Sequence, residues 1–172
     1  MQKNLTEGSV TKTILLFSLP MIAGNLLQQL YNIADTLIIG QFVGANALAA
    51  VGSSYTLMTF LTSILLGLSM GSGVAVSIAF GQKDWDRLKR GVFLSFSGIG
   101  LAAVALSSLA FLGIDEIMRL LQVPEEIYEL MRRYLLVIFT GIGGTFLYNY
   151  LACLLRAIGN SVTPLIFLGI SA

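Results

Sequence analysis

Histidine is absent from the 172 residues, and cysteine occurs once, at Cys153. These two shortages remove His/Cys metal clusters, a Ser-His or Cys-His nucleophile and any intrachain disulfide. Charge is scarce as well. Asp, Glu, Lys and Arg make up 11% of the chain, against about 25% in ordinary soluble domains. Ten Lys and Arg stand against nine Asp and Glu, so no basic excess exists to neutralise a phosphate backbone, which argues against nucleic acid as a partner. What the chain has in quantity is apolar: 56% of its residues are hydrophobic. Length alone would fit one ordinary domain, but this composition belongs to a membrane protein.

The placement of the few charges carries more than their number. Residues 36–82, 91–114, 134–155 and 157–172 hold none. A hydrocarbon core of ~30 Å needs about 20 apolar helical residues, and each of the first three stretches supplies that many. The longest is interrupted by Gly40-Gln41-Phe42-Val43-Gly44 and Asn46, a turn-like cluster. The reading is an all-α integral membrane protein, a multi-spanning helix bundle. Its spans are predicted at about 13–39, 46–80, 88–112 and 124–155, with a fifth segment starting near 163 that is too short to cross.

Lys and Arg alternate between loops in a way that sets orientation. Lys3, Lys12, Lys83, Arg87, Lys89, Arg90 and Arg156 fall on the N-terminal side, whereas Arg119, Arg132 and Arg133 fall on the other. Seven against three places the N-terminus in the cytoplasm and the chain in the cell membrane. Residues 1–24 resemble a signal peptide only superficially: Met21 stands where a small residue is wanted before Ala23-Gly24, and the helical pattern continues past it. Ile114–Gln122 reads as a short interfacial helix, with Ile114, Ile117, Met118 and Leu121 apolar and Asp115, Glu116 and Arg119 between them. Pro124-Glu125-Glu126 then opens the fourth span, with acids at the positive end of the helix dipole.

The first span is the most informative. At 100° per residue, Asn25, Gln28, Gln29, Asn32, Asp35 and Thr36 fall within roughly 120° of one another. Four amides, a hydroxyl and a carboxylate form one stripe, which lipid tails cannot hydrogen-bond. An Asp in a span costs at least ~2.5–3.5 kcal/mol on insertion scales, so the stripe is expected to face a bundle interior or a water-filled cavity. Either it joins helices through hydrogen bonds worth about 0.6 kcal/mol each, or it lines a transport cavity in which Asp35 takes up and releases a cation. The carboxylate favours the second, because it can exchange a cation and an amide cannot. Pro20, fifteen residues before Asp35, cannot donate its backbone bond and is a candidate hinge.

Other features read as structural. Ser53, Thr56, Thr59 and Ser63, with the Gly67-Leu-Ser-Met-Gly71-Ser-Gly73 run, suggest close helix packing in the second span. Gly141, Gly143 and Gly144 invite the same reading in the fourth. Trp85, with the cations of 83–90, suggests an interfacial anchor. Cys153 reads as a small buried hydrophobe, and Tyr148, Asn149 and Tyr150 could reach a cavity.

Taken together, these segments resemble the multidrug and toxic compound extrusion (MATE) family. The resemblance rests on Leu19-Pro20, Tyr31-Asn32-Ile33-Ala34-Asp35-Thr36, Gly40, Gly44, Ala47-Leu48-Ala49-Ala50-Val51-Gly52 and the Gly67–Gly73 run. It continues in Pro124-Glu125-Glu126 with Tyr134-Leu135, and in Leu154-Leu155-Arg156-Ala157-Ile158-Gly159-Asn160 with Thr163-Pro164. It implies a partial N-terminal lobe, four complete helices and the start of a fifth, from a twelve-helix transporter with two six-helix lobes. It also implies secondary antiport rather than enzymatic catalysis. Amphiphilic, often cationic small molecules would leave in exchange for H⁺ or Na⁺, with no other cofactor. By resemblance, Asp35 occupies the position of the family's coupling acid on helix 1, and Pro20 that of a bending proline. Partner polar groups would lie on helices 5 and 6, which this stretch does not reach, so the bilayer and the remaining helices are its expected partners.

Two alternatives stay open on the residues alone. A lipid-linked saccharide flippase of the same superfamily would need cations in its cavity, and no Lys or Arg lies mid-span. A non-transporting scaffold subunit would use the stripe only to bind other helices.

Overall fold

The computed structural model describes residues 10–171, all of its regular elements helical. In chain order these are α1 (Val10–Ile38), a π-helical turn (Ile39–Val43), α2 (Ala45–Gly81), α3 (Trp85–Leu112), α4 (Ile114–Leu120), α5 (Glu125–Ala157) and α6 (Val162–Ser171). Four helices, α1 with its π turn, α2, α3 and α5, are long and apolar enough to cross a membrane. They coincide with the four spans predicted from the sequence, and α4 falls within the predicted short helix at 114–122. Lys3, which counted toward orientation, lies outside the described residues.

The connections are tighter than sequence suggested. The turn expected over 40–46 shrinks to one residue, Gly44, at φ 107°. Before it, α1 widens into the π turn, closed by the Gly44 N–H donating to the Ile39 carbonyl at 3.2 Å. A span end inside a bilayer must satisfy its own backbone, and a widened last turn does so where an open loop would not. Between α2 and α3, Lys83 takes a left-handed φ of 57°, and the Asp84 carboxylate accepts from the Arg87 N–H at 3.0 Å. That cap, with Asp86 in the first turn, starts α3 at Trp85, three residues earlier than predicted. At the far end of α5, Gly159 turns the chain at φ 86°. Asn160 then accepts from the Thr163 N–H at 3.1 Å and donates to its hydroxyl at 2.8 Å, so α6 begins at Val162.

The core lies between α2, α3 and α5. From α5 come Met131, Leu135, Phe139, Ile142, Phe146 and Tyr150, spaced three or four apart as one helical face requires. Against them α2 buries Ala50, Ser54, Leu61, Leu65, Ser69, Gly73 and Val76. Its buried hydroxyls turn inward on their own helix: Ser54 donates to the Ala50 carbonyl and Ser69 to that of Leu65, both at 2.7 Å.

Two packing expectations need correction. Of the three glycines in the Gly67–Gly73 run, only Gly73 meets another helix: a Cβ placed there would lie 3.6 Å from the Cys153 carbonyl oxygen of α5. Gly67 and Gly71 are exposed and face open space, as do Gly141, Gly143 and Gly144. Likewise Ser53, Thr56, Thr59 and Ser63 are exposed, on the side of α2 turned from the core. Four-residue steps from Leu61 through Leu65 and Ser69 reach Gly73, so the packing face selects that glycine and leaves out Gly67 and Gly71. Cys153 is buried as expected.

α4 is held down by burying Ile114 and Met118 and by a polar clamp. Its Asp115 carboxylate accepts from Arg132 Nε at 2.9 Å and from the Tyr128 hydroxyl at 3.2 Å, both on α5. α1 stands apart. It packs against α6, with almost no contact to α2, α3 or α5. Gly24 faces Leu165 and Leu168, and Gly169 faces Leu27, so a small residue on each helix admits the other's leucines.

Candidate functional site on the polar face of the first helix

The periodicity that grouped Asn25, Gln28, Gln29, Asn32, Asp35 and Thr36 holds, because α1 runs unbroken from Val10 to Ile38 with Pro20 inside it. Asn32 is half-buried and the other five side chains are exposed. Three are tied together along the helix: Asn32 Nδ2 donates to Gln29 Oε1 at 3.2 Å, and the Thr36 hydroxyl donates to the Asn32 carbonyl at 2.7 Å. These bonds preorganise the stripe without using it up. Among the described residues none of the six hydrogen-bonds to another helix, and Asp35 has no ion-pair partner.

Depth matters for the carboxylate. Asp35 lies eight residues beyond the middle of the Thr11–Val43 span, or about 12 Å at 1.5 Å per residue. With a hydrocarbon half-thickness of about 15 Å, a span centred on the bilayer would hold this side chain just inside the apolar layer, on the side opposite the N-terminus. Tyr134, the tenth residue of α5, is half-buried at a comparable depth along its own span. Tyr134 entered the sequence reading only as a landmark. Its signal was available: α5 descends from the same side, and ten residues from its start bring a phenol to comparable depth.

α2 carries a second row of exposed hydroxyls. Ser53, Thr56, Thr59 and Ser63 recur every three or four residues and, like the α1 stripe, are turned from the core. The stripe residues are not part of the described clefts. The larger of these, about 710 Å³, lies between α2, α3, α5 and α6 and is almost wholly apolar, with Leu88, Val92, Leu147, Tyr148, Leu155 and Phe167 among its walls. Tyr148 thus reaches a cleft, whereas Tyr150 is buried in the core and Asn149 donates to the Thr145 carbonyl of its own helix at 2.8 Å. Among the described residues no group of three or more His, Cys, Asp and Glu is placed to hold a metal ion.

Comparison with known proteins places this architecture. The MatE family profile matches residues 20–172. The chain belongs to the MatE family. It is therefore a multi-pass membrane protein of a transporter family and not an enzyme. Over 165 residues it is 33% identical to the "Probable multidrug resistance protein YpnP" of Bacillus subtilis (strain 168), covering 96% of this chain and 37% of that protein. It is 32% identical over 166 residues to the "Multidrug export protein MepA" of Staphylococcus aureus (strain NCTC 8325 / PS 47), covering 93% and 36%. The fold is similar to that in the "Crystal structure of MATE in the bent conformation", with a TM-score of 0.85 and 25% identity over 94% of this chain and 36% of that one. This MatE chain thus spans about a third of the length of the relatives it matches.

Proposed function

We propose that these helices serve a secondary antiporter that exports amphiphilic, often cationic compounds in exchange for H⁺ or Na⁺, with Asp35 as the coupling acid. The observation that carries the reading is the state of Asp35. It is the only formal charge between Lys12 and Lys83. It sits within a span, faces outward among amides and hydroxyls, and has no counter-ion among the described residues. A carboxylate so placed is costly unless a cation or a proton occupies it.

With Asp35 ionised, the polar face attracts a lipophilic cation. Binding of H⁺ or Na⁺ cancels the charge and favours release. The coupling ion drives transport because it binds the two conformations with different affinity, and the same linkage makes drug and ion compete. Asn25, Gln28, Gln29, Asn32 and Thr36 then line the cavity and hydrate the passing substrate, with the remaining helices of the transporter closing it. Pro20 supplies the hinge: its missing N–H leaves α1 weak one half-span from Asp35, and the bent conformation of a similar MATE structure supports bending in this fold. The charge asymmetry supports a cytoplasmic N-terminus in the cell membrane.

The test is Asp35→Asn in the protein at the full length of its relatives. Membrane insertion should be unchanged and cation-dependent drug efflux lost. Efflux that keeps both its rate and its dependence on a proton or sodium gradient would refute the assignment.

A further inference from the structure

The four cations at the junction of α2 and α3 suggest an anchor from sequence alone, but their geometry is more selective. Lys83, Arg87, Lys89 and Arg90 are all exposed, and among the described residues none forms an ion pair. Two carboxylates stand nearby, Asp84 and Asp86, and that of Asp84 is occupied in capping α3 through the Arg87 N–H. The cluster therefore keeps a net positive charge. Lys83 is also held at a left-handed φ of 57°, in a turn where glycine or asparagine would be less strained.

Immediately beyond the cations the surface changes character. Lys89 is followed one turn later by Phe93, and Arg90 by Leu94, exposed to 70% and 61% respectively. One turn separates each cation from its apolar neighbour by about 6 Å along the helix. Trp85, 56% exposed, stands edge-on to Phe80 with ring centroids 6.0 Å apart, which fixes an indole at the level of the cations. Cationic heads with an indole at their level, and then bare hydrocarbon, succeed one another along one helix end, as a phospholipid presents its headgroup before its acyl chains.

We infer that the Lys83–Arg90 end of α3 is a docking surface for the headgroups of anionic phospholipids in the leaflet on that side. Zwitterionic lipids offer the same phosphate beside a compensating ammonium, so the unpaired cations discriminate against them.

Trp85 is the chain's single tryptophan and reports its own lipid neighbours. The chain is reconstituted into phosphatidylcholine vesicles in which either a dibrominated phosphatidylglycerol or a dibrominated phosphatidylcholine replaces an equal mole fraction of lipid. Quenching of Trp85 should indicate at least about threefold enrichment of the anionic lipid. Neutralising Arg87, Lys89 and Arg90 together to Gln should abolish the preference, whereas Arg119→Gln at the opposite end of the bundle should leave it intact. Because the three cations also influence orientation, a second arm changes no residue: raising KCl should collapse the preference by screening. Equal quenching by the two lipids in the unsubstituted chain overturns the inference. So does a preference that persists in high salt, or one that inorganic phosphate removes when KCl of equal ionic strength does not.

Discussion

The Tyr150 hydroxyl of α5 lies 2.7 Å from the Ser95 hydroxyl of α3 and donates to the Val92 carbonyl at 2.8 Å. This is a polar tie between two apolar helices, in a pocket shared with Phe96 and Phe146. Its two members are not equivalent. Ser95 can donate to the Gly91 carbonyl of its own helix at 2.7 Å, so α3 keeps a satisfied hydroxyl if Tyr150 is lost. Hydrogen bonds between membrane helices average about 0.6 kcal/mol and reach about 1.7 kcal/mol. Tyr150→Phe should fall in the upper half of that range, since it removes the bonds that bridge the helices. Ser95→Ala should fall in the lower half, since Tyr150 retains Val92. Denaturant unfolding in mixed micelles compares the two, and a larger loss for Ser95→Ala would contradict the assignment.

Gly73 should tolerate one methyl and no more. An added Cβ meets the Cys153 carbonyl at 3.6 Å and its Cβ at 3.8 Å, ordinary contact distances. Gly73→Ala is therefore expected to be neutral or mildly stabilising, because alanine gains up to about 1 kcal/mol of helix propensity. Gly73→Leu should cost about 1–3 kcal/mol through overpacking, whereas Gly67→Leu, facing open space, should cost little. Thermal midpoints of the three variants decide this. Equal destabilisation by the two leucines would mean that the face of α2 has been misassigned.

The clamp on α4 has a defined pH sign. The hydrogen bond from Arg132 holds the Asp115 carboxyl below its ordinary value of 3.8. Desolvation opposes it, while the Tyr128 hydroxyl and the charges of Arg132 and Arg119 add to it. A depressed folded-state value means that the contribution is complete above the ordinary value and fades as pH falls through the lower one. Stability should thus be indifferent to Asp115 around neutrality, and Asp115→Asn should flatten part of the acid loss. The Arg132–Asp115 pair is substantially exposed, so the effect is small. Unfolding midpoints from neutral to acidic pH measure it, and an Asp115→Asn profile parallel to the parent's would count against the clamp.

Tyr134 should be coupled to Asp35 in function. If the phenol senses the occupancy of the carboxylate, Tyr134→Phe will alter the binding affinity for a cationic drug in the full-length protein. It should do nothing further once Asp35 is already Asn. The signature is non-additivity in a double-mutant cycle, of about 0.5 kcal/mol or more for groups that interact. Strict additivity would show that Tyr134 is only a neighbour.

The number and order of spans were legible because charge-free apolar runs of membrane length have few other uses. The stripe on α1 was legible for the same reason in reverse: six polar residues on one arc of an apolar helix are conspicuous. Helix ends were less so, since they depend on single caps. Asp84 moves the start of α3 forward, and the π turn converts most of an expected loop into helix. Glycine roles were legible only as a class. Which glycine is a contact depends on which arc meets α5, and Gly67, Gly71 and Gly73 differ only in that. Tyr134 was legible only through the matching depth of two spans, since it and Asp35 are about a hundred residues apart and no local pattern links them.

The pairing of α1 with α6 sets a timetable. α1 ends at Ile38 and α6 begins at Val162, so more than a hundred residues must be synthesised before the one meets the other. At 5–20 residues per second that interval is roughly 6–25 s. For that time α1 must lie in the translocation machinery or the bilayer without its main described neighbour. The α2–α3–α5 core can settle first, being formed from segments that emerge in immediate succession. Pairing of α1 with α6 is therefore a late event, completed only after the core segments have all emerged.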